Sequence, residues 1–235
     1  MSEQTSLAAA AGLVALAFGL STLDRWELRR RPHELAWSIA LFLFAGGAFA
    51  LWTGAAVGWR PATFRVFYVL GAIVNVPFLA LGTIYLLAGR RAGDRAAAAI
   101  ALASAFATGV VIAAPMHGHI RPHELPRGSD VFDALPRVLA AVASAGGALV
   151  VFGGAAWSAW RFRRGHMVWA NALIAVGTLV LSAGGILNSV FDAMTGFAVT
   201  LVAGIAVIYA GFLVAIATPA SAPSPRVPAG AGRRT

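Results

Sequence analysis

The chain has 235 residues, of which 59% are hydrophobic and 11% charged, and its formal net charge is +9. A soluble domain carries about 25% charged residues, but a chain of this size could bury its apolar residues in a water-soluble core, so composition alone does not decide the class. The absence of cysteine excludes disulfides and Cys-ligated metals. The absence of lysine excludes Schiff-base chemistry, including covalently bound retinal.

Long uncharged runs alternate with short clusters of charge. About 20 apolar residues cross a bilayer core as a helix, so each long run predicts one transmembrane helix. The sequence therefore predicts an all-α, polytopic bundle of seven transmembrane helices. The seven predicted spans cover residues 5–23, 35–57, 64–88, 96–115, 136–157, 167–189 and 197–217.

These spans predict one transmembrane domain, residues 1–217, followed by a tail, residues 218–235. The tail is rich in Pro, Ala, Ser and Gly and holds three arginines. Such a composition cannot bury enough apolar surface to fold. We therefore expect a disordered cytoplasmic tail.

Arginine asymmetry predicts the orientation of the bundle in the plasma membrane. All 18 basic residues are arginines. With the N-terminus outside, 13 of them lie in cytoplasmic segments and 5 outside, as the positive-inside rule requires. The net charge thus reflects topology, and no nucleic-acid partner is expected. Tryptophans near the predicted helix ends, including Trp37 and Trp59, indicate an aromatic belt.

A weak internal repeat links the two halves of the chain. Residues 9–30 and 143–164 match at an offset of 134, including Trp26 with Trp160 and Arg29 with Arg163. A duplication would give three helices, a linker helix and three helices, with parallel repeats about an axis along the membrane normal. Chance matches among Ala and Gly remain the alternative.

The third predicted span carries polar residues and a proline near its middle. Pro77 removes a backbone donor and frees a carbonyl about one turn earlier, around residue 73. At helical spacing Tyr68 and Asn75 share a face with Leu79. This pattern predicts either a packed interface with an interhelical hydrogen bond or a kinked helix that lines a ligand pocket.

The sixth predicted span carries a stripe of small and polar side chains at spacings of three and four. Its members are Asn171, Ala175, Thr178, Ser182, Gly185, Ser189 and Asp192. A stripe of this kind favours close helix packing and could equally line a solute path. The candidate ligand-binding residues of the chain are Tyr68, Asn75, Pro77, Asn171, Thr178 and Ser182.

The longest connector, about residues 116–135, contains His117, His119 and His123. Imidazoles are ligands for zinc or copper, and these three could converge if the loop folds back. A solvated interfacial loop is the alternative. No cofactor is expected elsewhere. No histidine lies in the middle of a span, which argues against an intramembrane bis-His haem. No carboxylate or arginine lies there either, which argues against a proton pump.

The stretch from Gly71 to Leu86 resembles uncharacterised membrane proteins of high-GC actinobacteria, a group that implies no named activity. The chain is also similar to triple-helix sugar facilitators in length and possible repeat, but it lacks their Pro-Gln signature. Its histidine pattern departs from that of seven-helix zinc hydrolases, and it lacks the lysine of rhodopsins.

The sequence identifies no catalytic residue, and it favours a non-enzymatic seven-helix module. Such a module would bind a small or lipophilic ligand in the manner of a receptor, or serve as a partner subunit. Its partners would be the lipid bilayer and either a second copy or another membrane protein. Two alternatives stay open: a passive transporter of a neutral solute, and a metal-dependent membrane enzyme that uses the loop histidines.

Overall fold

The structure is a computed structural model that describes residues 3–118, 120–122, 124–161, 169, 172–174, 176–181 and 194–216. The predicted tail lies outside these ranges. All regular structure within them is helical. The elements are α1 (Glu3–Arg29), α2 (Pro32–Val57), α3 (Pro61–Phe67), a π-helical segment (Tyr68–Val74), α4 (Asn75–Ala113), α5 (Gly128–Val131), α6 (Ala134–Arg161), α7 (Ala172–Leu181) and α8 (Met194–Ile216).

Among the described residues, four helical stretches are long and apolar enough to cross a membrane. They are Thr5–Arg29, Pro32–Val57, Pro61–Ala113 and Ala134–Ser158. A helix bonds its own backbone groups internally, which is what the hydrocarbon core of a bilayer demands. Several apolar helices of this length suggest a membrane protein, as the long uncharged runs of the sequence predict.

The first two helices form an antiparallel hairpin. Arg30 adopts a left-handed φ of 53° between them, and its backbone N–H donates to the carbonyl of Trp26 at 2.7 Å. The Arg30 guanidinium lies 4.7 Å from the centre of the Trp26 ring. Pro32 then starts α2, where its fixed φ suits the first helical turn. The tight turn brings the end of α1 against the start of α2.

The chain turns back within α4, at Gly89. This residue has φ 80° and ψ 179°, a conformation open essentially only to glycine. Arg65 donates to the carbonyl of Ala114 at 2.7 Å, although 49 positions separate them. Tyr85 likewise donates to Asp94 at 2.9 Å. The stretch Pro61–Ala113 is therefore a hairpin of two antiparallel helices.

The second arm of this hairpin begins earlier than the sequence predicts. The fourth span is predicted from residue 96, with Arg90 to Arg95 assigned to a connector. In the structure these residues are helical. Gly89 alone makes the turn, so the charged residues continue the helix instead of forming a loop.

A π-helical segment precedes Pro77 on the first arm. In a π-helix each backbone N–H donates to the carbonyl five residues earlier. In this hydrogen-bonding pattern the carbonyl that Pro77 leaves without a donor is that of Ala72. Ser144 of α6 donates to the Ala72 carbonyl at 2.7 Å. A neighbouring helix therefore satisfies a carbonyl beside the proline, one residue from the predicted position.

Close glycine contacts join the remaining helices. Gly147 of α6 lies against Val76, so that a Cβ there would be 3.0 Å from the Val76 carbonyl oxygen. A Cβ on Gly177 of α7 would be 2.7 Å from the carbonyl oxygen of Gly204 on α8. Small residues at these points let the helix backbones approach closely.

Aromatic side chains fill the region around the end of α2 and the start of α3. We call this region the aromatic end; it comprises Trp59, Phe64, Phe67, Tyr68 and Phe132. Phe64 is 1% exposed and stacks on Phe132, with ring centres 5.8 Å apart. Trp59 is 3% exposed and its ring lies edge-on to Phe67. The prediction that Trp59 belongs to an interfacial belt is wrong, because its indole packs on Gly54 inside the protein.

Candidate functional site

A cavity of about 60 Å³ lies between six helices, toward the end of the bundle where α2 begins. We call this region the cavity end. A single water needs roughly 10–15 Å³ measured in this way, so the space exceeds that of one water molecule. The described residues that line it are Phe18, Thr22, Trp37, Leu41, Leu79, Thr83, Val151, Ile174, Thr178 and Ile208.

The wall of the cavity is mainly aliphatic and aromatic, with three threonines. Each threonine hydroxyl donates to the carbonyl four residues earlier in its own helix. Thr22 donates to Phe18 and Thr178 to Ile174, both at 2.8 Å, whereas Thr83 donates to Leu79 at 3.5 Å. The hydroxyl donors are used within the helices, so Thr22 and Thr83 present oxygen acceptors to the cavity.

Trp37 forms a fixed part of the wall. Its indole N–H donates to the carbonyl of Leu79 at 3.2 Å, and its ring lies directly against Gly82 of α4. The His33 ring meets the Trp37 ring edge-on, with centres 5.3 Å apart. A side chain at position 82 would displace the indole, so the glycine is required for this close contact.

A buried ion pair lies one turn from the cavity wall. Arg25 of α1 and Glu34 of α2 approach to 3.3 Å between Nη2 and Oε1. Glu34 is 1% exposed as a residue. A buried carboxylate is stable only when it is paired and hydrogen-bonded, and Arg25 supplies that pairing for one oxygen.

Two polar atoms beside this pair are buried without a hydrogen bond. They are Glu34 Oε2 and Ser38 Oγ, neither of which has a partner in the part of the chain that the structure describes. Ser38 is 0% exposed and lies one helical turn after Glu34. A buried polar atom left unsatisfied costs about 1–3 kcal/mol. Trp59 Nε1 and Arg65 Nε, at and beside the aromatic end, are also buried without a hydrogen bond in the described structure, so such atoms are not confined to the cavity end.

The structure separates the predicted ligand-binding residues. Thr178 lines the cavity. Tyr68 lies at the aromatic end, 5.1 Å from Phe132 between ring centres. Asn75 and Pro77 follow the π-helical segment and are half-buried, and neither lines the cavity.

The predicted face of the third span is also divided. Leu79 and Gly82 contact Trp37, whereas Tyr68 contacts Gly128 on α5. The π-helical segment changes the helical phase between them, which a regular 3.6-residue period does not anticipate. Asn171 and Ser182 lie outside the described residues, so of these two the structure gives no position.

Of the three histidines in the connector, His117 is the one that the structure describes. Its backbone N–H donates to the Val131 carbonyl at 2.9 Å, and its ring lies 3.0 Å from a carboxylate oxygen of Asp133. The connector thus folds back on itself. Within the described ranges no three potential metal-binding side chains come together, while His119 and His123 lie outside those ranges.

Sequence reasoning missed most of the cavity residues. Trp37 was assigned to the aromatic belt, and Glu34 was placed just outside a span that was predicted to start at residue 35. A signal was nevertheless present, because Glu34, Trp37, Ser38 and Leu41 recur at spacings of three and four on one face of α2.

Comparison with protein-family models, with curated proteins and with solved structures finds no match for the chain. The fold and the cavity are therefore the basis for inferring its function.

Proposed function

We propose that the chain is a seven-span protein of the plasma membrane, with its N-terminus outside and its C-terminus in the cytoplasm. The hairpin at Gly89 supports the count, since it divides Pro61–Ala113 into two antiparallel arms. With α1, α2, α6, α7 and α8 these arms make seven apolar segments. The arginine asymmetry supports the orientation.

The absence of cysteine allows a clean test of this topology. Single variants Glu27→Cys and Ser129→Cys place a thiol at exposed positions on opposite sides of the proposed membrane. A membrane-impermeant maleimide added to intact cells should label position 129 and leave position 27 unlabelled until the cells are opened. The reverse pattern, or labelling of both thiols from one side, would contradict the proposed topology.

Within this bundle, the cavity binds a small lipophilic ligand, and the module is not an enzyme. The observation that carries this proposal is a partly open cavity of about 60 Å³ between six helices, lined by aliphatic groups, an indole and three hydroxyls. Ligand sites are concave and mostly apolar, with a few polar groups that fix orientation. The cavity end has this character, whereas the aromatic end is filled by its own rings.

Neighbouring valines on α6 provide a matched test of ligand binding. Val151 lines the cavity and is 4% exposed, whereas Val150 is 37% exposed. Val151→Phe should fill the cavity, and Val150→Phe adds the same ring on the accessible side. Native mass spectrometry of protein purified in lipid nanodiscs should show a small-molecule adduct in wild type and Val150→Phe. The adduct should be lost in Val151→Phe.

Two results would contradict this proposal. One is an adduct that persists undiminished in Val151→Phe, which would place the ligand elsewhere. The other is the absence of any adduct from wild-type protein, even after extraction in mild detergent and after extraction in polymer discs. Circular dichroism of the two valine variants checks that both retain the helical fold.

A further inference from the structure

Five exposed arginines lie in and beside two turns on one side of the bundle. One turn joins α1 to α2, and the other is the turn within α4. We call these residues the arginine group; its members are Arg29, Arg30, Arg31, Arg90 and Arg91. Their guanidinium groups form no ion pair with any residue that the structure describes. Five positive charges on one side of the bundle are therefore available to an outside partner.

The two turns lie side by side because α2 packs antiparallel to the first arm of α4. Gly47 lies against Gly71. Nearer the turns, the Trp37 ring lies against Gly82. Arg31 precedes Trp37 by six residues, and the turn within α4 begins seven residues after Gly82. At about 1.5 Å per residue both turns lie about 10 Å from this contact, at one level. Packed helices are about 8–10 Å apart, so one ligand can reach both turns.

Arg30 is held in a defined position between the two helices. Its backbone forms the turn with a φ of 53°, and its guanidinium lies over the Trp26 ring, 4.7 Å from the ring centre. The N–H donors of a guanidinium lie in its plane, so contact with a ring face leaves them available. Arginine binds a phosphate group through two parallel hydrogen bonds of this kind. Arg30 is therefore placed to bind phosphate oxygens.

Exposed leucines lie directly beside the arginine group. Leu28 is 77% exposed and precedes Arg29, and Leu86 and Leu87 are 52% and 39% exposed just before the turn within α4. At the end of a membrane-spanning helix, apolar side chains contact the lipid chains and arginines reach the head groups. A ligand at this place meets cationic and apolar groups together, which favours a phospholipid over a soluble anion.

Carboxylates do not neutralise this region. It contains seven arginines and four carboxylates, counted over residues 24–34 and 90–95. Two of the carboxylates have internal partners, since Glu34 is buried in its ion pair and Asp94 accepts a hydrogen bond from Tyr85. The other two are exposed on α1. The region therefore carries a net positive charge, which an anionic head group would offset.

Arginines on the opposite side of the bundle are arranged differently. There Arg65 donates to the Ala114 carbonyl at 2.7 Å, and Arg121 pairs with Glu124 at 2.9 Å. Arg60 is exposed and forms no ion pair with a described residue, but it is the single arginine of its turn. One unpaired arginine is common on a protein surface, whereas the arginine group combines five of them across two adjacent turns.

We propose that the arginine group binds the phosphodiester head group of an anionic phospholipid, such as phosphatidylglycerol, between the two turns. The guanidinium groups donate to the phosphate oxygens, and the lipid chains lie along the exposed leucines. A zwitterionic lipid carries the same phosphate, but the arginines repel its ammonium group. This surface lies outside the cavity, so the inference goes beyond the proposed ligand binding and does not depend on it.

Two lipids with the same chains test the role of the head group. Native mass spectrometry of full-length protein in detergent micelles measures binding of dioleoyl phosphatidylglycerol and of dioleoyl phosphatidylcholine. Wild-type protein should bind phosphatidylglycerol about tenfold more tightly, since two arginine contacts to an anionic lipid support a difference of at least that order. Glycerophosphoglycerol, the head group without chains, should not displace the lipid at equal concentration. Displacement by it, or equal affinity for the two lipids, would overturn the inference.

Substitutions locate the site. Arg30→Gln and Arg90→Gln should each weaken phosphatidylglycerol binding about fivefold, since one arginine near an anionic lipid contributes about that factor. Arg60→Gln, the matched control on the opposite side, should have no effect. Arg30→Lys keeps the charge but loses the planar pair of donors, so it should weaken binding about twofold.

Two results from these variants would show that the lipid responds to diffuse charge instead of a defined site. One is an equal loss in Arg60→Gln and Arg30→Gln, and the other is wild-type affinity in Arg30→Lys. Either would overturn the inference. Thermal unfolding checks that each variant folds. Should the variants at position 30 fail to fold, Arg90→Gln and Arg60→Gln still decide the question.

The cavity variant keeps the two proposals apart. Val151→Phe should leave phosphatidylglycerol binding unchanged, and the phospholipid adduct differs in mass from a small molecule bound in the cavity. Loss of phosphatidylglycerol binding in Val151→Phe would place the lipid at the cavity. That result would overturn the inference and leave the proposed ligand binding intact.

Discussion

The two ends of α2 differ in how densely the side chains around them pack. At the aromatic end, rings pack against one another, and the Trp59 backbone N–H donates to the Pro122 carbonyl at 2.8 Å. At the cavity end, the helices leave a space of about 60 Å³, while buried polar atoms without a partner in the described structure lie near both ends. One helix, Pro32–Val57, joins both regions.

This difference indicates that the aromatic end contributes to stability and the cavity end to ligand recognition. Dense aromatic packing stabilises a fold and leaves no room for a ligand. A cavity leaves apolar groups without packing partners, which weakens the fold locally, and it leaves room for a small ligand. We therefore expect substitutions at the aromatic end to change stability alone, and substitutions at the cavity end to change binding as well.

The largest effect is expected for Phe64→Ala at the aromatic end. The side chain is fully buried among other rings, and its loss leaves a void worth about 3 kcal/mol of unfolding free energy. Val66→Ala, two positions along and 49% exposed, should cost about 0.5 kcal/mol or less. Equilibrium unfolding in mixed micelles measures both. Equal losses for the two variants would show that the aromatic end is not a packed core.

A loss of similar or slightly smaller size is expected for Arg25→Leu. Removing one partner of a buried pair strands the Glu34 charge, at a cost of about 3 kcal/mol. The double variant Arg25→Leu/Glu34→Leu removes both charges and should recover most of this loss. Unfolding free energies of the two variants measure the recovery. A double variant that is less stable than Arg25→Leu would mean that Glu34 is not destabilised by losing Arg25.

An intermediate effect is expected for Gly89→Ala at the turn that joins the two arms. Its backbone conformation is strained for any residue with a Cβ, which costs about 1–3 kcal/mol. Gly109 lies in the helix interior with open space around it, so Gly109→Ala should be neutral or stabilising by up to about 1 kcal/mol. Thermal unfolding of the two variants shows whether the loss at position 89 comes from backbone strain, since both variants add the same methyl group. Destabilisation of both variants by the same amount would contradict a turn at Gly89.

The smallest effect is expected for Ser144→Ala, midway between the two ends. Loss of its hydrogen bond to the Ala72 carbonyl should cost about 0.5–2 kcal/mol. Pro77→Ala restores a backbone donor, so the serine should matter less in that background. A double-mutant cycle on unfolding free energies measures this coupling. Strictly additive losses would show that Ser144 does not compensate for the proline.

The helical class and the approximate spans follow from the sequence because uncharged runs and helix length are local properties. The second span is predicted at residues 35–57, and α2 covers Pro32–Val57. The turn was predicted to include the arginines that follow Gly89, whereas in the structure the chain turns at Gly89 alone. Arginines are compatible with a helix end and also with a continuing helix, so they do not mark where the turn ends. The π-helical segment rotates the residues after it relative to those before it, and a regular helical period does not predict this rotation.

The cavity could be predicted only in part. Thr178 was identified because its stripe is periodic along one helix. The place of Trp37 in the cavity wall was not predicted because it depends on Gly82, which lies 45 positions away and contacts it only after folding. Glu34 was taken as the boundary of a span, since charge normally marks the end of one, and its pairing with Arg25 is a tertiary contact.

Amide hydrogen exchange of protein that retains its co-purified small molecule, compared with protein stripped of it by detergent washing, tests most directly whether the cavity end is the binding region. Full-length protein in nanodiscs is compared at short exchange times, before global opening contributes. The account predicts slower exchange in peptides that cover residues 18–24 and 35–41 and unchanged exchange in residues 59–68. Protection of equal size in both regions, or protection confined to residues 59–68, would contradict it.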